Sequence, residues 1–519
     1  MSKNQGSIAE VKKKKGILNF IERVGNALPH PATIFIILCV IIVIASDIMA
    51  RMGVSVTYEG LDRATNEITK MTTTVKSLLT REGIVFMFES SVTNFTSFAP
   101  LGTVLVAMLG VGVAEGTGLI GSVLRKLVIS TPKRLITVVV VLAGVLSSIA
   151  SDAGYVVLVP LGAIVFLSMG RHPMAGLSAA FAGVSGGFSA NFMFGPTDAL
   201  LAGISTEAAK MQDVTRSVGV TDNWWFLIAS TILITIIGTF VTEKIVEPRL
   251  GEYKGEEKVD KVDGMSDLEK RGLKFTGIAT ILVAIIIAIL TVPSNAILRN
   301  PETGSLIDHS PLMNSIVIII ALVFLTLGVA YGIGAGKIKS DKDVVHEMGR
   351  SMSSMGSYIV LVFVASQFVK FFAESNVGTI IAVKGADFLK DANITGIPLI
   401  IGFILVTAFI NLFMGSASAK WAIMAPIFIP MLMQMGFAPE FTQMAYRIGD
   451  STTNIISPLM TYFALIVSFA EKYDKKSGIG TMISTMLPYS VALLIGWSLL
   501  LIVWMVFGLP LGPSGVIGI

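Results

Sequence analysis

Two charged residues, Arg447 and Asp450, lie within one of the long hydrophobic segments of the sequence. Because they are three positions apart, a helix would present both side chains on one face. A charge in the middle of a membrane costs on the order of 3 kcal/mol or more, so a pair there usually marks a transport pathway. We therefore predict that the planar guanidinium of Arg447 binds a substrate carboxylate. Asp450 is predicted to carry a proton or a cation, or to pair with Arg447, and a purely structural pair stays open.

Three further residues have side chains that suit the same chemistry. Trp421 offers a flat ring for an aromatic substrate to stack on, although tryptophan also anchors proteins at membrane interfaces. Asp198 follows a Gly-Pro break in the first half of the chain and is predicted to play the matching acidic role there. Asp152 is a second acidic candidate.

Helix-breaking residues accompany these side chains. Glycine and proline open a helix, and within a bilayer the freed carbonyl groups survive only when buried or lining a cavity. Such carbonyls can bind a small hard cation together with side-chain oxygens, and helix N-termini at the same break offer amide donors to an anion. The predicted ion-binding residues are Ser151, Asp152, Ser189 and Asn191 in the first half and Ser416, Thr452, Thr453 and Asn454 in the second. The coupling ion is either H+ or Na+, and we expect no other metal and no organic cofactor.

The composition is that of a membrane protein. The chain has 519 residues, 53% of them hydrophobic and only 14% charged, whereas soluble domains carry about 25% charged residues. Apolar runs of roughly 20 residues recur, the length that a helix needs to cross a bilayer, and they are too long for the strands of an outer-membrane barrel. The net charge of +4 is spread over short loops, which argues against nucleic acid as a partner. The single cysteine, Cys39, excludes a disulfide within one chain.

The hydrophobic pattern predicts an all-α polytopic membrane protein. We expect nine transmembrane helices, at about 32–50, 99–124, 174–194, 224–245, 275–294, 313–335, 355–373, 441–470 and 484–507. Two further apolar stretches, 134–169 and 395–436, are broken in the middle and are predicted to be re-entrant hairpins. Basic residues gather in cytoplasmic loops, so the lysines at 12–15 predict a cytoplasmic N-terminus in the bacterial inner membrane. The C-terminus is then external, and the two hairpins enter from opposite sides.

The two broken stretches resemble each other. Aligning Pro160 with Pro426, 266 residues apart, pairs Ala153 with Ala419, and the broken spans that follow align Gly187 with Gly449 at an offset of 262. The span at 275–294 separates the halves and inverts the second relative to the first. Inverted repeats with discontinuous helices are typical of alternating-access carriers. The predicted parts are a first half-repeat (1–246), a linker with the central span (247–312) and a second half-repeat (313–519).

The motifs at these breaks resemble those of the AbgT family of p-aminobenzoyl-glutamate transporters. The resemblance rests on the run from Asn411 to Pro426, on Tyr446 to Pro458, and on Ser151-Asp-Ala-Gly-Tyr and Phe194-Gly-Pro-Thr-Asp in the first half. It implies a homodimer whose subunits each have nine spans and two hairpins. The positions that carry over as substrate-binding or transport residues are Asp198, Asn411, Ser418, Trp421, Pro439, Arg447, Asp450 and Pro458. The implied activity is transport of p-aminobenzoyl-glutamate, with proton-driven export of sulfonamide antimetabolites as a related function.

Three other functions remain to be weighed. A sodium-coupled dicarboxylate symporter is the main alternative, although Trp421 and Arg447 favour an aromatic carboxylate. The segment Gly183-Val-Ser185-Gly186 resembles the serine motif of intramembrane proteases, but no histidine after it lies within a predicted span to act as the base. A passive channel is compatible with the repeat but explains the buried charges less well. Neither the direction of transport nor the coupling ion follows from the sequence.

Overall fold

The computed structural model describes residues 29–62, 67–150, 154–255, 264–306, 310–475 and 477–519. The lysines at 12–15 and the candidates Ser151 and Asp152 lie outside these ranges. The first half contains α1 (Pro31–Arg51), β1 (Ser55–Asp62), β2 (Glu67–Thr74), α2 (Arg81–Glu89), α3 (Ser91–Thr96), α4 (Ala99–Gly116), α5 (Leu119–Ile129), α6 (Ile136–Leu146), α7 (Val159–Ser168), α8 (Pro173–Phe181), α9 (Pro196–Ala209), α10 (Trp224–Val241) and α11 (Glu247–Leu250). The remainder contains α12 (Asp267–Thr291), α13 (Pro311–Asn314), α14 (Ile316–Gly334), α15 (Asp341–Ser354), α16 (Gly356–Glu374), α17 (Val377–Asp391), α18 (Gly396–Asn411), α19 (Ala417–Gln434), α20 (Pro439–Asn454), α21 (Phe463–Tyr473) and α22 (Ile479–Phe507).

The predicted helical membrane fold is confirmed. Within the described ranges, seven helices are long and apolar enough to cross a membrane: α1, α4, α10 continued to Leu250, α12, α14, α16 and α22. They match seven of the nine predicted spans. An eighth is counted if α5 and the segment that follows it, bent by 115°, are taken as one. The other two predicted spans are the broken ones, so the total of nine spans and two hairpins stays a prediction.

Both halves follow the same order of elements. A span (α4 or α16) ends in a left-handed residue, Gly118 with φ +84° or Asn376 with φ +61°. These two residues tolerate positive φ better than β-branched ones do. A shorter helix (α5 or α17) follows, then the two arms of each predicted hairpin, which are the helices α6 and α7, or α18 and α19. The next helix begins with a proline in its first turn, Pro173 of α8 or Pro439 of α20, where the missing N–H costs nothing.

The predicted span limits need correction at three places. The span at 99–124 ends at Gly116, because the turn at Gly118 redirects the chain into α5. The span at 174–194 is helical only to Phe181 and continues as a π-helical turn, Ala182–Gly186. The span at 441–470 divides into α20 and α21.

Several elements have no counterpart in the sequence prediction. The polar segment after α1 forms an antiparallel strand pair, β1 and β2, in which Ser55 lies opposite Thr74 and Asp62 opposite Glu67. The helices α5, α9, α15 and α17 are also additional. Helix α9 matters most for the site, because it packs against hairpin arm α19 and against α20 of the other half.

Candidate functional site

The candidate site is built around α20, a polar helix in the centre of the molecule. All 16 of its residues are buried, although they include three charged residues, Glu440, Arg447 and Asp450, and a run of Ser, Thr and Asn side chains. Glu440 is paired with Arg216 at 3.1 Å. A buried polar group is stable only when it finds partners. The residues that pair with this helix therefore define the site.

Arg447 of α20 forms an ion pair with Asp198 of the first half. Its Nη1 lies 2.7 Å from Asp198 Oδ1, and the two side chains are 2% and 9% exposed. The other carboxylate oxygen of Asp198 accepts a hydrogen bond from the backbone N–H of Gly195 at 2.7 Å, which fixes the carboxylate at the start of α9. Arg447 Nε has no hydrogen-bond partner among the described residues. The guanidinium therefore joins the two halves and keeps one donor unused.

Asp450 pairs with a residue that the sequence analysis did not select. Its Oδ1 lies 2.6 Å from Nζ of Lys420 on hairpin arm α19, and both side chains are 1% exposed. Of the two roles predicted for Asp450, pairing with Arg447 is therefore wrong, because each of these charges has its own partner. A buried charge of either sign needs a close counterion, and the fold supplies one to each.

Asn411, at the end of α18, holds this second pair in place. Its Nδ2 donates to the Asp450 carbonyl at 2.7 Å, to Thr453 Oγ1 at 2.9 Å and to Asn454 Oδ1 at 2.8 Å. Its Oδ1 accepts a hydrogen bond from Lys420 Nζ. Two of the predicted ion-binding residues, Thr453 and Asn454, thus bind the asparagine in this structure.

Trp421 is fully buried and stacks on Tyr446, with ring centroids 4.3 Å apart. Its Nε1 donates to Ser205 Oγ on α9 at 3.0 Å, and Ser205 donates in turn to Gln443 Oε1 at 2.6 Å. Gln443 Nε2 donates to Asn223 Oδ1 at 2.8 Å. This chain of hydrogen bonds is a second connection between α9 and the second half. The predicted stacking on a substrate requires the ring to present a face that Tyr446 does not cover.

The other second-half candidates lie at helix ends or face the helix backbone. Ser416 caps α19, where its Oγ accepts from Ala419 N at 3.3 Å, and lies 3.4 Å from Ser418 Oγ. Thr452 donates to the Ile448 carbonyl at 2.7 Å. Pro439 is in the first turn of α20, and Pro458 is half-buried in the loop after it.

The break in the first half is neutral at the positions that match these charges. With Gly187 aligned to Gly449, Arg447 corresponds to Ser185 and Asp450 to Phe188. Asn191 Nδ2 donates to Ser148 Oγ at 2.7 Å, which ties this break to its hairpin. Among the described residues, four buried serine hydroxyls lack a hydrogen-bond partner: Ser178, Ser185 and Ser189 here, and Ser451 in α20. Ser189 and Ser451 occupy matching positions in the repeat.

Five residues of this site were not predicted from the sequence: Lys420, Tyr446, Ser205, Gln443 and Asn223. Only Lys420 carried a usable signal, because a lysine within a hydrophobic hairpin is as costly as the arginine that was selected. The uncharged residues become visible only through their tertiary contacts.

Comparison with known proteins gives one family and several close relatives. The AbgT putative transporter family matches residues 16–519. The p-aminobenzoyl-glutamate transport protein of Escherichia coli K12 is 38% identical over 511 residues, which covers 98% of this chain and 99% of the relative. The crystal structure of the YdaH transporter of Alcanivorax borkumensis is 46% identical, with a TM-score of 0.88, and covers 93% of this chain and 100% of its own. MtrF of Neisseria gonorrhoeae, described as illuminating a class of antimetabolite efflux pumps, is 49% identical, with a TM-score of 0.90, and covers 96% of this chain and 100% of its own.

Proposed function

This chain belongs to the AbgT putative transporter family, and we propose that it moves p-aminobenzoyl-glutamate or related folate precursors and breakdown products by alternating access. The name of the Escherichia coli relative supports this substrate. The description of the Neisseria relative supports antimetabolite efflux as a second activity, and sulfonamides are the antimetabolites that we expect to be exported.

Membership of a transporter family excludes the enzyme alternative. The segment Gly183-Val-Ser185-Gly186 that suggested a protease lies in the π-helical turn of the first break. Its serine is one of the buried hydroxyls without a partner among the described residues. We assign it to the break and not to hydrolysis.

The observation that carries the proposal is the ion pair between Arg447 and Asp198. A planar guanidinium binds carboxylates in a bidentate manner, and Arg447 still has its Nε free of partners within the described chain. A substrate carboxylate that reaches this donor would replace part of the Asp198 interaction and so weaken a contact between α9 and α20. Substrate binding would thereby be linked to a change in the relative position of the two halves.

The coupling ion is proposed to be H+ or Na+. One charge that crosses 100 mV is worth about 2.3 kcal/mol, so either gradient supplies enough energy for uphill transport. The serine hydroxyls at the two breaks that have no partner among the described residues support a cation among the oxygens, and the buried carboxylates support a proton. We also propose an inner-membrane homodimer with a cytoplasmic N-terminus and an external C-terminus.

The test is flux of labelled p-aminobenzoyl-glutamate in proteoliposomes under imposed proton and sodium gradients, each applied alone. We expect one gradient to drive accumulation above equilibrium, and unlabelled substrate to compete more strongly than a simple dicarboxylate such as succinate. Flux that ignores both gradients would leave a passive channel as the better description. Stronger competition by succinate, together with sodium drive, would favour the dicarboxylate symporter.

A further inference from the structure

The Lys420 ammonium is surrounded by oxygen atoms that could also bind a free cation. A lysine has three N–H donors and no acceptor, and three oxygens surround Nζ: Asn411 Oδ1, Asp450 Oδ1 at 2.6 Å and the Met414 carbonyl at 3.5 Å. The Tyr446 ring centroid is 5.8 Å away. One carboxylate, one amide oxygen and one backbone carbonyl from the turn of a hairpin are also a set of ligands suited to a small hard cation.

The side-chain amide of Asn411 is held with its oxygen toward Lys420 Nζ. Its Nδ2 is surrounded by acceptors on α20, the Asp450 carbonyl and the Thr453 and Asn454 side chains, at 2.7 to 2.9 Å. The amide oxygen must therefore point the other way, toward Nζ. Asp450 contributes to the same centre twice, since its carbonyl orients Asn411 and its carboxylate pairs with Lys420.

The first half lacks the equivalent ammonium at the matching position, where the packing is tight. Aligning the hairpins at their prolines pairs Lys420 with Gly154. A Cβ added to Gly154 would lie 2.0 Å from Ser147 Oγ and 2.8 Å from Ser147 Cβ, so a side chain at this position would require Ser147 to move. A cation at the first break would therefore have to come from solution.

We propose that the Lys420 ammonium is a tethered cation that permanently fills the cation site of the second half. Only the first break then takes a dissolved coupling cation, and the second break contributes its cation as part of the chain. The assignment rests on the proposed function, because it assumes a cation-coupled carrier. It implies that external Na+ does not bind at the second break of the wild-type protein. It gives Lys420 a positioning role for Asp450 and for the hairpin tip.

The test is to remove the Lys420 ammonium by substitution and to supply Na+ in solution. We expect Lys420→Met, purified as the full chain, to leave an oxygen site that Na+ fills. Replacing choline with Na+ should then raise the melting temperature of this variant by at least about 3 °C more than that of the wild type. In proteoliposomes, its flux should fall about 100-fold in choline and recover at least tenfold when Na+ is added on both sides. Adding Asp450→Asn to Lys420→Met should abolish the extra Na+ response, because the carboxylate is the main ligand.

The control is Lys370→Met. Lys370 pairs with Glu207 at 3.1 Å, is 36% exposed and lies outside the oxygen cluster, so its loss should produce no new Na+ response. If Lys420→Met does not fold in either salt, Lys420→Ala, which also removes the ammonium and leaves room for an ion beside the same oxygens, serves for the same measurements.

A folded Lys420 variant with normal flux and no added Na+ response would overturn the proposal. So would the same Na+ response in Lys370→Met. The melting measurement needs no substrate, so it can support or overturn the tethered cation even if the proposed substrate proves to be wrong.

Discussion

The two helix breaks are related by sequence but differ in charge. At the second, Arg447, Asp450 and Lys420 bring three charges into a buried centre. The matching positions of the first hold Ser185, Phe188 and Gly154. An ion pair connects the two halves, the first-half carboxylate of Asp198 with the second-half guanidinium of Arg447.

This difference indicates a division of labour after duplication. At the second break, Asp450 pairs with Lys420 and Arg447 pairs with Asp198 of the first half, so its charges are balanced before any ligand arrives. Both breaks keep buried hydroxyls without partners within the described chain, Ser185 and Ser189 at the first and Ser451 at the second, and such groups are unfavourable until something binds them. Among the residues that the structure describes, only the second break also holds a fixed ammonium, that of Lys420. We infer that the second break anchors the substrate and the first responds to the coupling ion.

The largest expected effect comes from Arg447→Met. The change leaves Asp198 buried without its counterion, so stability should fall by about 3–5 kcal/mol and flux by at least about 100-fold. Adding Asp198→Asn removes the unpaired buried charge and should restore most of the stability. It should not restore the flux, because the guanidinium that binds the substrate carboxylate is still missing. Thermal unfolding and proteoliposome flux separate the two effects. Recovery of flux in the double variant would show that the pair is only structural.

A smaller effect should distinguish the breaks directly. Ser189→Ala and Ser451→Ala remove matched hydroxyls that have no partner among the described residues, so each should change stability by less than about 1 kcal/mol. If the first break binds the coupling ion, Ser189→Ala should raise the ion concentration for half-maximal flux about tenfold. Ser451→Ala should change it less than about twofold, because Lys420 already supplies the cation there. Equal effects would contradict the division of labour.

The smallest effect is expected for Trp421→Phe, which keeps an aromatic ring on Tyr446 but loses the hydrogen bond to Ser205. Stability should fall by about 1 kcal/mol. The control is Trp497→Phe, which loses a comparable buried hydrogen bond, 2.7 Å to Ser230 Oγ, away from the site. The melting temperatures of both variants should fall by a similar amount. Only Trp421→Phe should alter the apparent affinity for p-aminobenzoyl-glutamate. A matched change in both would remove Trp421 from substrate binding.

Much of this arrangement could be read from the sequence, and the limits have physical causes. Apolar length and Gly/Pro breaks located the spans and both discontinuities, because a bilayer restricts backbone structure so strongly. Arg447 and Asp450 of α20 were found because charges are costly in lipid. The pairing of Arg447 with Asp198 was not found, although both residues were predicted, since they are 249 positions apart and nothing local specifies their contact. The strand pair was missed because a Thr-rich polar segment gives no membrane signal, and α5 was merged into α4 because the turn at Gly118 interrupts an apolar run only briefly.

The burial of α20 has a consequence for how the protein is made. An arginine or an aspartate at the centre of a helix adds about 2.5–3.5 kcal/mol to the free energy of insertion through the translocon, so this helix cannot partition into lipid as an independent segment. It must wait in the translocon, or at its lateral exit, until neighbouring segments shield it. The carboxylate that neutralises Arg447 belongs to α9, which is synthesised much earlier and is already present when α20 emerges. We therefore expect insertion of the second half to depend on the first, so that Asp198→Ala reduces the amount of correctly inserted protein in pulse-chase experiments as well as transport.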